Sequence, residues 1–489
     1  MLVVVVLTLL GGSPKATLDA LDSQERFNDE LEQRFDAICG ALKSGRRTLP
    51  ADLAGPDVHF PVDELVQIPS CSLRALSLGA VKDGELSARL LWDIDGRDAT
   101  GQRISVRNES AGALKKVAGK WMLTKLDVTN PRKVVRPSAR FVERAAEAGL
   151  VFPGRSTASA AAEFLSSGLS ARDIDGDGLP DVFAIDGPSL YLYRGRPGVT
   201  FAAPELLARA PKEKTLTNAA LGDVDGDGDA DLVVTTYRDE PLRLFRNDQG
   251  KFTEVPKVGK GGQHQTAIPS DLDGDGKLDL AVVSYPLEGR VPSSYLQADN
   301  GEPPELWLGN GDFTFRRLEL PRSVAQRHWS FGGVAADLLG TGRMQLYVVN
   351  DYGVKDLYVI DRDGGVTEGA GAAGLQDPGP GMSVDLGDVN QDGRVDVYVA
   401  NMFSKAGTRI MNGAGEMDST TRQLMTKFVR GNTLFMSQPD GGYTDLAEGL
   451  EVHRALWSFA SLLTDIDNDS HLEVLVANGF VSAPIRKDL

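Results

Sequence analysis

Apolar and polar positions change their period twice along this chain. In LDSQERFNDELEQRFDAICGALKSG (21–45) apolar side chains recur at helical spacing, with Ser23 and Glu25–Glu30 near the start. That pattern predicts a helix. ELSARLLWDIDG, QRISVRNESAGALKKV and GKWMLTKLDV then read as antiparallel strands. Later the pattern changes to short, nearly uninterrupted apolar runs such as DLVVTT and DLAVVS, each behind a stretch of Asp and Gly. Such runs read as strands.

The polar stretches are the chemistry-bearing part. Six of them open with Asp, at positions 173, 223, 271, 337, 388 and 465. Three read DIDGDGLPD, DVDGDGDAD and DLDGDGKLD, a fourth DVNQDGRVD, and DLLGTGRMQ and DIDNDSHLE are worn copies. Ca²⁺ takes roughly 6–8 oxygen ligands at ~2.3–2.6 Å. Acids at loop positions one, three, five and nine, with the carbonyl at seven, can converge on one point if the backbone curls tightly. Glycines at positions four and six allow the curl because they accept positive φ. The expected ligands are Asp173, Asp175, Asp177, Asp181 and the carbonyl of Leu179; Asp223, Asp225, Asp227, Asp231 and the carbonyl of Asp229; and Asp271, Asp273, Asp275, Asp279 and that of Lys277. The fifth loop offers Asp388, Asn390, Asp392, Asp396 and the carbonyl of Arg394. The sixth offers Asp465, Asp467, Asp469, Glu473 and that of His471, with Asn468 and Ser470 in place of the glycines. The fourth keeps only Asp337, because Leu339, Thr341 and Gln345 hold the other positions, and no metal is expected there.

An EF-hand opens in the same way but closes on a Glu at position twelve and enters a helix. Position twelve here is Ala184, Val234 or Val282, inside strand-like runs. An isolated Asp-Gly stretch is often a plain hairpin turn, yet four copies with acids in register argue for a binding loop. The intervals between openings are 50, 48, 66, 51 and 77 residues. A period of roughly 40–50 residues is that of a four-stranded propeller blade. One unit parses as TNAALGDV, DLVVTT, LRLFRND and KFTEVP, and the long intervals hold insertions near 293–305 and 417–428, the latter a short helix. The expected architecture is therefore mainly β: a propeller of six four-stranded blades, seven being the alternative, over 141–489. FVERAAEAGLVF (141–152) resembles the blade ends YTDLAEGLEV and VTEGAGAAGL. It is expected to complete the last blade and clasp the ring, since open strand edges invite aggregation.

Loop plus strand resembles the FG-GAP/VCBS repeat family, which includes integrin α-chain propellers. The further pattern of "NG" after the strand and F-x-x-x-A-x-x-A-G-L is similar to bacterial relatives of cartilage acidic protein, the ASPIC or CRTAC-like group. The resemblance covers about 141–489 and implies adhesion or recognition outside the cell, with calcium as cofactor and no established reaction. Residues 18–128 lack the loops and read as an α+β domain of one helix on a curved sheet. Their closing G-K-W-x-L strand resembles NTF2-like or SnoaL-like domains. The basic, proline-containing stretch 129–140 reads as a linker, and Asp93–Asp95 as a hairpin turn.

Composition narrows the setting. The chain has 489 residues and a formal charge of −17, against nonspecific nucleic-acid binding, which needs a basic face. Five Ca²⁺ ions would bring −17 to −7. The run LVVVVLTLL within 1–17 is too short to span a bilayer and looks like the apolar core of a secretory signal, though no Lys or Arg precedes it; the other reading is a buried strand. The expected location is secreted, periplasmic or cell-surface. Cys39 and Cys71 fit a disulfide and two buried thiols equally well.

No G-x-S-x-G, H-E-x-x-H, C-x-x-C or phosphate-binding glycine loop occurs. Trp329 and Trp457 each stand eight residues before a loop Asp, so both fall at equivalent ends of inner strands. His328, with His264 and His453, approaches the same region, where Arg327 or Arg454 adds charge. His328, Trp329 and Trp457 are the candidate ligand-binding residues, and core packing is the other reading of the tryptophans. The functional expectation is a binding module for an extracellular protein or glycan, without a transmembrane span. The alternative is a propeller enzyme, lyase-like, acting on polysaccharide through His, Trp and Arg of the channel.

Overall fold

A computed structural model of the chain describes residues 14–136, 143–151, 168–286, 290–294, 296–403, 407, 411 and 418–478. The apolar run 2–10 lies outside these residues, as do 141 and 142. Two compact units meet in sequence between Glu143 and Arg144. No described helix is long and apolar enough to cross a membrane.

The first unit sets helix α1 (Pro14–Lys43) on a sheet of β1 (Gln67–Lys82), β2 (Glu85–Arg97), β3 (Arg103–Val117), β4 (Lys120–Asp127) and β5 (Arg132–Arg136). Strand order is β1-β2-β3-β4, and β5 pairs with the first half of β3 while β4 pairs with the second. Leu31, Phe35, Ile38 and Leu42 fall on one stripe of α1 and are buried with Trp92, Trp121, Leu90 and Ile94. Each such side chain contributes roughly 1.5–3 kcal/mol by leaving water. Cys39 and Cys71 form a disulfide that ties α1 to β1. Two expectations change here, and one strand was not foreseen. Residues 132–136 of the expected linker are a sheet strand. Asp93 and Asp95 lie inside β2, and the turn falls at Asp98, whose Oδ1 accepts from the N–H groups of Thr100 and Gln102 at 2.9 Å each. Strand β1, with one proline, three serines and one glycine among its apolar residues, escaped the alternation rule altogether.

The second unit repeats one antiparallel pattern. The first strands are β6 (Leu169–Arg172), β12 (Thr215–Gly222), β16 (His264–Ser270), β20 (Trp329–Ala336), β24 (Gly381–Gly387) and β28 (Ser458–Thr464). The second strands are β7 (Asp181–Asp186), β13 (Asp231–Tyr237), β17 (Asp279–Ser284), β21 (Gln345–Tyr352), β25 (Asp396–Asn401) and β29 (Glu473–Asn478). Third strands are β8 (Ser189–Tyr193), β14 (Glu240–Asp248), β18 (Glu305–Gly309), β22 (Asp356–Ile360) and β26 (Thr433–Ser437). Fourth strands are β11 (Glu205–Arg209), β15 (Lys251–Gly262), β19 (Phe315–Leu318), β23 (Val366–Glu368) and β27 (Tyr443–Asp445), with the small ribbon β9 (Gly195–Arg196) and β10 (Thr200–Phe201) between β8 and β11. Five sheets thus have four strands and the sixth has two among the described residues. The second strands carry the apolar runs and are buried along their length in β13, β17 and β25.

First strands pack on one another in series from β6 to β28, which makes them the inner layer of a β-propeller. Hydroxyls stitch that layer together. Ser170 donates to the carbonyl of Ala219 at 2.6 Å, Thr217 to that of His264 at 2.8 Å, and Thr266 to that of Phe331 at 3.3 Å. Of the proposed clasp, Ala145–Ala148 is helix α2. It is followed by Val151, whose carbonyl accepts from the Tyr193 hydroxyl of the first sheet at 2.9 Å. Its likeness to the other blade ends is real at the backbone. Leu150, Leu375 and Val452 each donate N–H five residues back, to Ala145, Ala370 and Ala447, at 2.8–2.9 Å. After Leu375, α3 (Ala370–Ala373) being its helix, the next insertion carries α4 (Ser419–Arg430), which covers the expected short helix at 417–428.

Candidate metal centre

All six loops share one backbone cradle, built by the first Asp. Asp173 accepts from the N–H groups of Gly176 and Gly178 at 2.9 Å each, and Asp223 from Gly226 and Gly228 at 2.8 and 3.0 Å. Asp271 holds Gly274 and Gly276, Asp337 holds Thr341 and Gly342, Asp388 holds Asp392 and Gly393, and Asp465 holds Asp469 and Ser470. Positions four and six are left-handed throughout. Gly176 and Gly178 have φ of 74° and 84°, and even Asn468 and Ser470 of the sixth loop reach 57° and 72°. The glycine-poor loop therefore keeps the same curl.

The ninth-position acid is a clamp. Asp181, Asp231, Asp279 and Asp396 are buried. One oxygen of each accepts from the second loop residue: Ile174, Val224, Leu272 and Val389, at 2.8–3.2 Å. The other accepts from the N–H that faces it at the end of the third strand: Gly195, Asn247, Gly309 and Ser437, at 2.7–2.9 Å. Burial pushes Asp231 and Asp279 up to about 6, with the neighbouring loop acids adding to the rise. A cation among them would reverse that cost.

Four loops draw together positions one, three and nine. The sets are Asp173, Asp175 and Asp181; Asp223, Asp225 and Asp231; Asp271, Asp273 and Asp279; and Asp465, Asp467 and Glu473, with the candidate ligand oxygens of each set within 4.8 Å of one another. Asp225 supplies an independent mark of fit. Its Oδ2 pairs with Arg246 at 2.5 Å, while its Oδ1 is buried without a hydrogen-bond partner. Position five stands apart from these sets: Asp177, Asp227, Asp275, Asp392 and Asp469 each accept from the N–H of position seven, at Leu179, Asp229, Lys277, Arg394 and His471. In the fifth loop Asn390 donates to Asp392 at 2.8 Å, and Arg394 does so at 2.5 Å. Sequence reasoning missed the arginines that reach position three, Arg194 on Asp175 at 3.3 Å and Arg246 on Asp225. Their third-strand origin, about twenty residues downstream, was the available clue. It also missed Asn247, which spans from its own sheet to the carbonyl of Ile174 in the preceding loop at 2.9 Å.

The tryptophan and histidine candidates sit elsewhere. Trp329 opens β20, and Trp457 forms an isolated bridge with Met402 just before β28, so their strand positions correspond. Trp329 is only 1% exposed, enclosed by Tyr285 and Tyr352 at 5.5 and 5.7 Å, with its indole N–H on Asn300 at 3.1 Å. It is core, which corrects its assignment as a ligand platform. His328 is likewise buried, its Nδ1 2.9 Å from Asp356 Oδ2. His264 is buried with neither ring nitrogen partnered, and burial lowers its pKa. Just inside these residues the inner strands carry β-bulges that single out Thr217, Gln265, Phe331, Met382 and Phe459. Phe331 and Phe459 meet edge-to-face at 6.3 Å although a whole sheet lies between theirs in sequence.

The family described as FG-GAP-like repeat matches at 173–234 and 223–282. Human cartilage acidic protein 1 is 25% identical over 265 residues, which are 48% of this chain and 39% of that protein. Among solved structures, an Agrocybe aegerita lectin described as recognising non-reducing terminal N-acetylglucosamine has a TM-score of 0.39 at 16% identity, covering 64% of this chain and 74% of its own. The Aleuria aurantia lectin, described as a six-bladed β-propeller with a fucose recognition mode, has a TM-score of 0.34 at 12% identity, covering 64% and 96%. The matched repeats are the loop-and-strand units whose cradles are described above, and the chain is an FG-GAP-repeat β-propeller protein similar to cartilage acidic protein 1.

Proposed function

We propose that this chain is a calcium-stabilised propeller acting outside the cell as a binding or adhesion module for a protein or glycan. The observation that carries it is the convergence of three carboxylates in each of four loops, with a buried, unpartnered oxygen on Asp225. In this reading Asp173, Asp175, Asp181, Asp223, Asp225, Asp231, Asp271, Asp273, Asp279, Asp465, Asp467 and Glu473 hold the ion, and Asp388 and Asp396 hold one with Asn390. Bound calcium would supply charge neutralisation and cross-linking, while the protein alone orients the loops. The Cys39–Cys71 disulfide supports an oxidising compartment.

Topology points to the binding face. Acidic loops join first strands to second, so second-to-third connections emerge at the opposite edge of each sheet. Both long insertions, between β17 and β18 and between β25 and β26, are of that second kind. A glycan array and a pull-down in millimolar calcium test the reading. Shortening 290–297, which leaves Ala298 and Asn300 against Trp329, should abolish capture while leaving the melting temperature within a few degrees of wild type. Capture that survives both this deletion and a chelator would overturn it.

A further inference from the structure

The fourth loop has lost its acids and yet keeps its shape. Asp337 still accepts from the N–H groups of Thr341 and Gly342 at 2.8 and 2.7 Å, and Gly340 and Gly342 are still left-handed at φ of 64° and 76°. The ninth position is Gln345, fully buried. Its carbonyl oxygen accepts from the N–H of Leu339 at 2.9 Å, one residue beyond the second-position N–H that the ninth-position acid holds in the other loops. Its amide nitrogen has two acceptors: Thr341 Oγ1 at 3.1 Å and the carbonyl of Arg343 at 2.6 Å. Those are the side-chain oxygen of position five and the carbonyl of position seven, oxygens that an EF-hand loop turns toward its ion, although position five of the acidic loops here accepts from the N–H of position seven. A carboxylate at this place could offer them nothing, because it has no proton to donate.

We propose that Gln345 makes the fourth loop independent of metal: its amide NH₂ stands where the other loops take a cation. Blade four is then pinned at all times, and removal of the divalent ion loosens the ring unevenly, at loops one, two, three, five and six. The contrast rests on the calcium reading of those other loops. The role of Gln345 within its own loop does not. Arg343 is free to turn outward, where it pairs with Asp361 at 3.0 Å and lies over Gly274 of the third loop beside Arg362, which donates to the Gly274 carbonyl at 2.8 Å.

Hydrogen exchange of the full chain, with chelator and with millimolar calcium, tests this. For a Kd near ~10⁻⁴ M, calcium should slow exchange about ten-fold in peptides spanning 173–186, 223–237 and 271–284. The peptide spanning 337–352 should change less than about two-fold. Gln345→Glu keeps the shape, removes the donor and should make 337–352 exchange faster in chelator and slower again with calcium. If wild-type 337–352 slows as much as the acidic loops do, the fourth loop binds the ion and the proposal is wrong. If no loop responds to calcium, the calcium reading fails. Gln345→Ala must even then speed exchange at 337–352 in both buffers; unchanged exchange there would refute the role of the amide by itself.

Discussion

At the scale of single residues, the loops show a division of labour that the spacing rule treats as uniform. The first Asp folds the backbone, the ninth anchors the loop to the third strand, and the third, held by Arg194 or Arg246, faces the gap between them. Non-glycine residues in the left-handed region cost about 1–2 kcal/mol each. Asn tolerates the region better than Ser, so the strain in the sixth loop centres on Ser470, at φ 72°. Replacing Ser470 with Gly should stabilise the second unit by about 1 kcal/mol, read as a shifted urea midpoint at constant slope. A second residue-scale prediction concerns Asp351, buried and accepting from the Tyr285 hydroxyl at 2.6 Å. Burial pushes it up to about 7, opposed by Tyr285 and Lys355. Since its folded pKa lies above its unfolded one, the folded state binds the extra proton between about pH 4 and 7. Its stabilising share is therefore present below that window and is lost as pH rises through 7. Asp351→Asn, still able to receive the Tyr285 proton, should remove a pH dependence of at most about 1.4 kcal/mol per unit. A wild-type minus variant stability difference that is flat from pH 5 to 8 would contradict it.

Elements were legible wherever one physical signal dominated. The second strands announced themselves because a strand covered on both faces must be apolar throughout, and DLVVTT and DLAVVS are. Helix α1 followed from its stripe of Phe35, Ile38 and Leu42. The edge strand β1 was not legible, since an exposed edge needs little apolar periodicity and takes prolines and serines freely. Strand β5 hid among charged residues because its two valines, Val134 and Val135, are both exposed and give no apolar periodicity. At the site, loop positions one, three and nine were readable from spacing. The retreat of position five and the bonds of the Gln345 amide were not, because both depend on where side-chain atoms end up after the backbone closes. Trp329 illustrates the same limit: strand position placed it at an inner-strand end, but only packing shows that aromatic neighbours enclose it. Trp329→Ala should therefore cost about 3–5 kcal/mol in stability. In the first unit, the pair Cys39→Ser with Cys71→Ser opens a link between residues 32 apart and should cost about 2–4 kcal/mol, measured as the loss of that unit's melting transition toward lower temperature.

For the molecule as a whole, the decisive quantity is how strongly divalent ions bias the folded ring. Four loops gather three acids each. In the absence of an ion, burial and mutual repulsion already push Asp231 and Asp279 up, so the metal-free ring carries an electrostatic penalty at neutral pH. An extracellular-type site at about ten times its Kd contributes roughly 1.4 kcal/mol through mass action, and four such sites roughly 6 kcal/mol. A unit of about 330 residues unfolds with an entropy near 0.7 kcal/mol per degree, so millimolar calcium should raise the melting temperature by about 8 °C over chelator. The rise should scale with the logarithm of calcium concentration and should not be reproduced by adding the same ionic strength as monovalent salt, because general screening falls on all 69 acids alike while the ion is held by twelve. Asp225→Asn, which neutralises the acid carrying the unpartnered oxygen, should remove about a quarter of the shift and leave the chelator value almost unchanged. Equal melting temperatures in calcium and chelator would leave the carboxylate sets as surface acidity held in a fixed geometry, and the propeller would owe its stability to the apolar second strands and the inner hydroxyl ties alone.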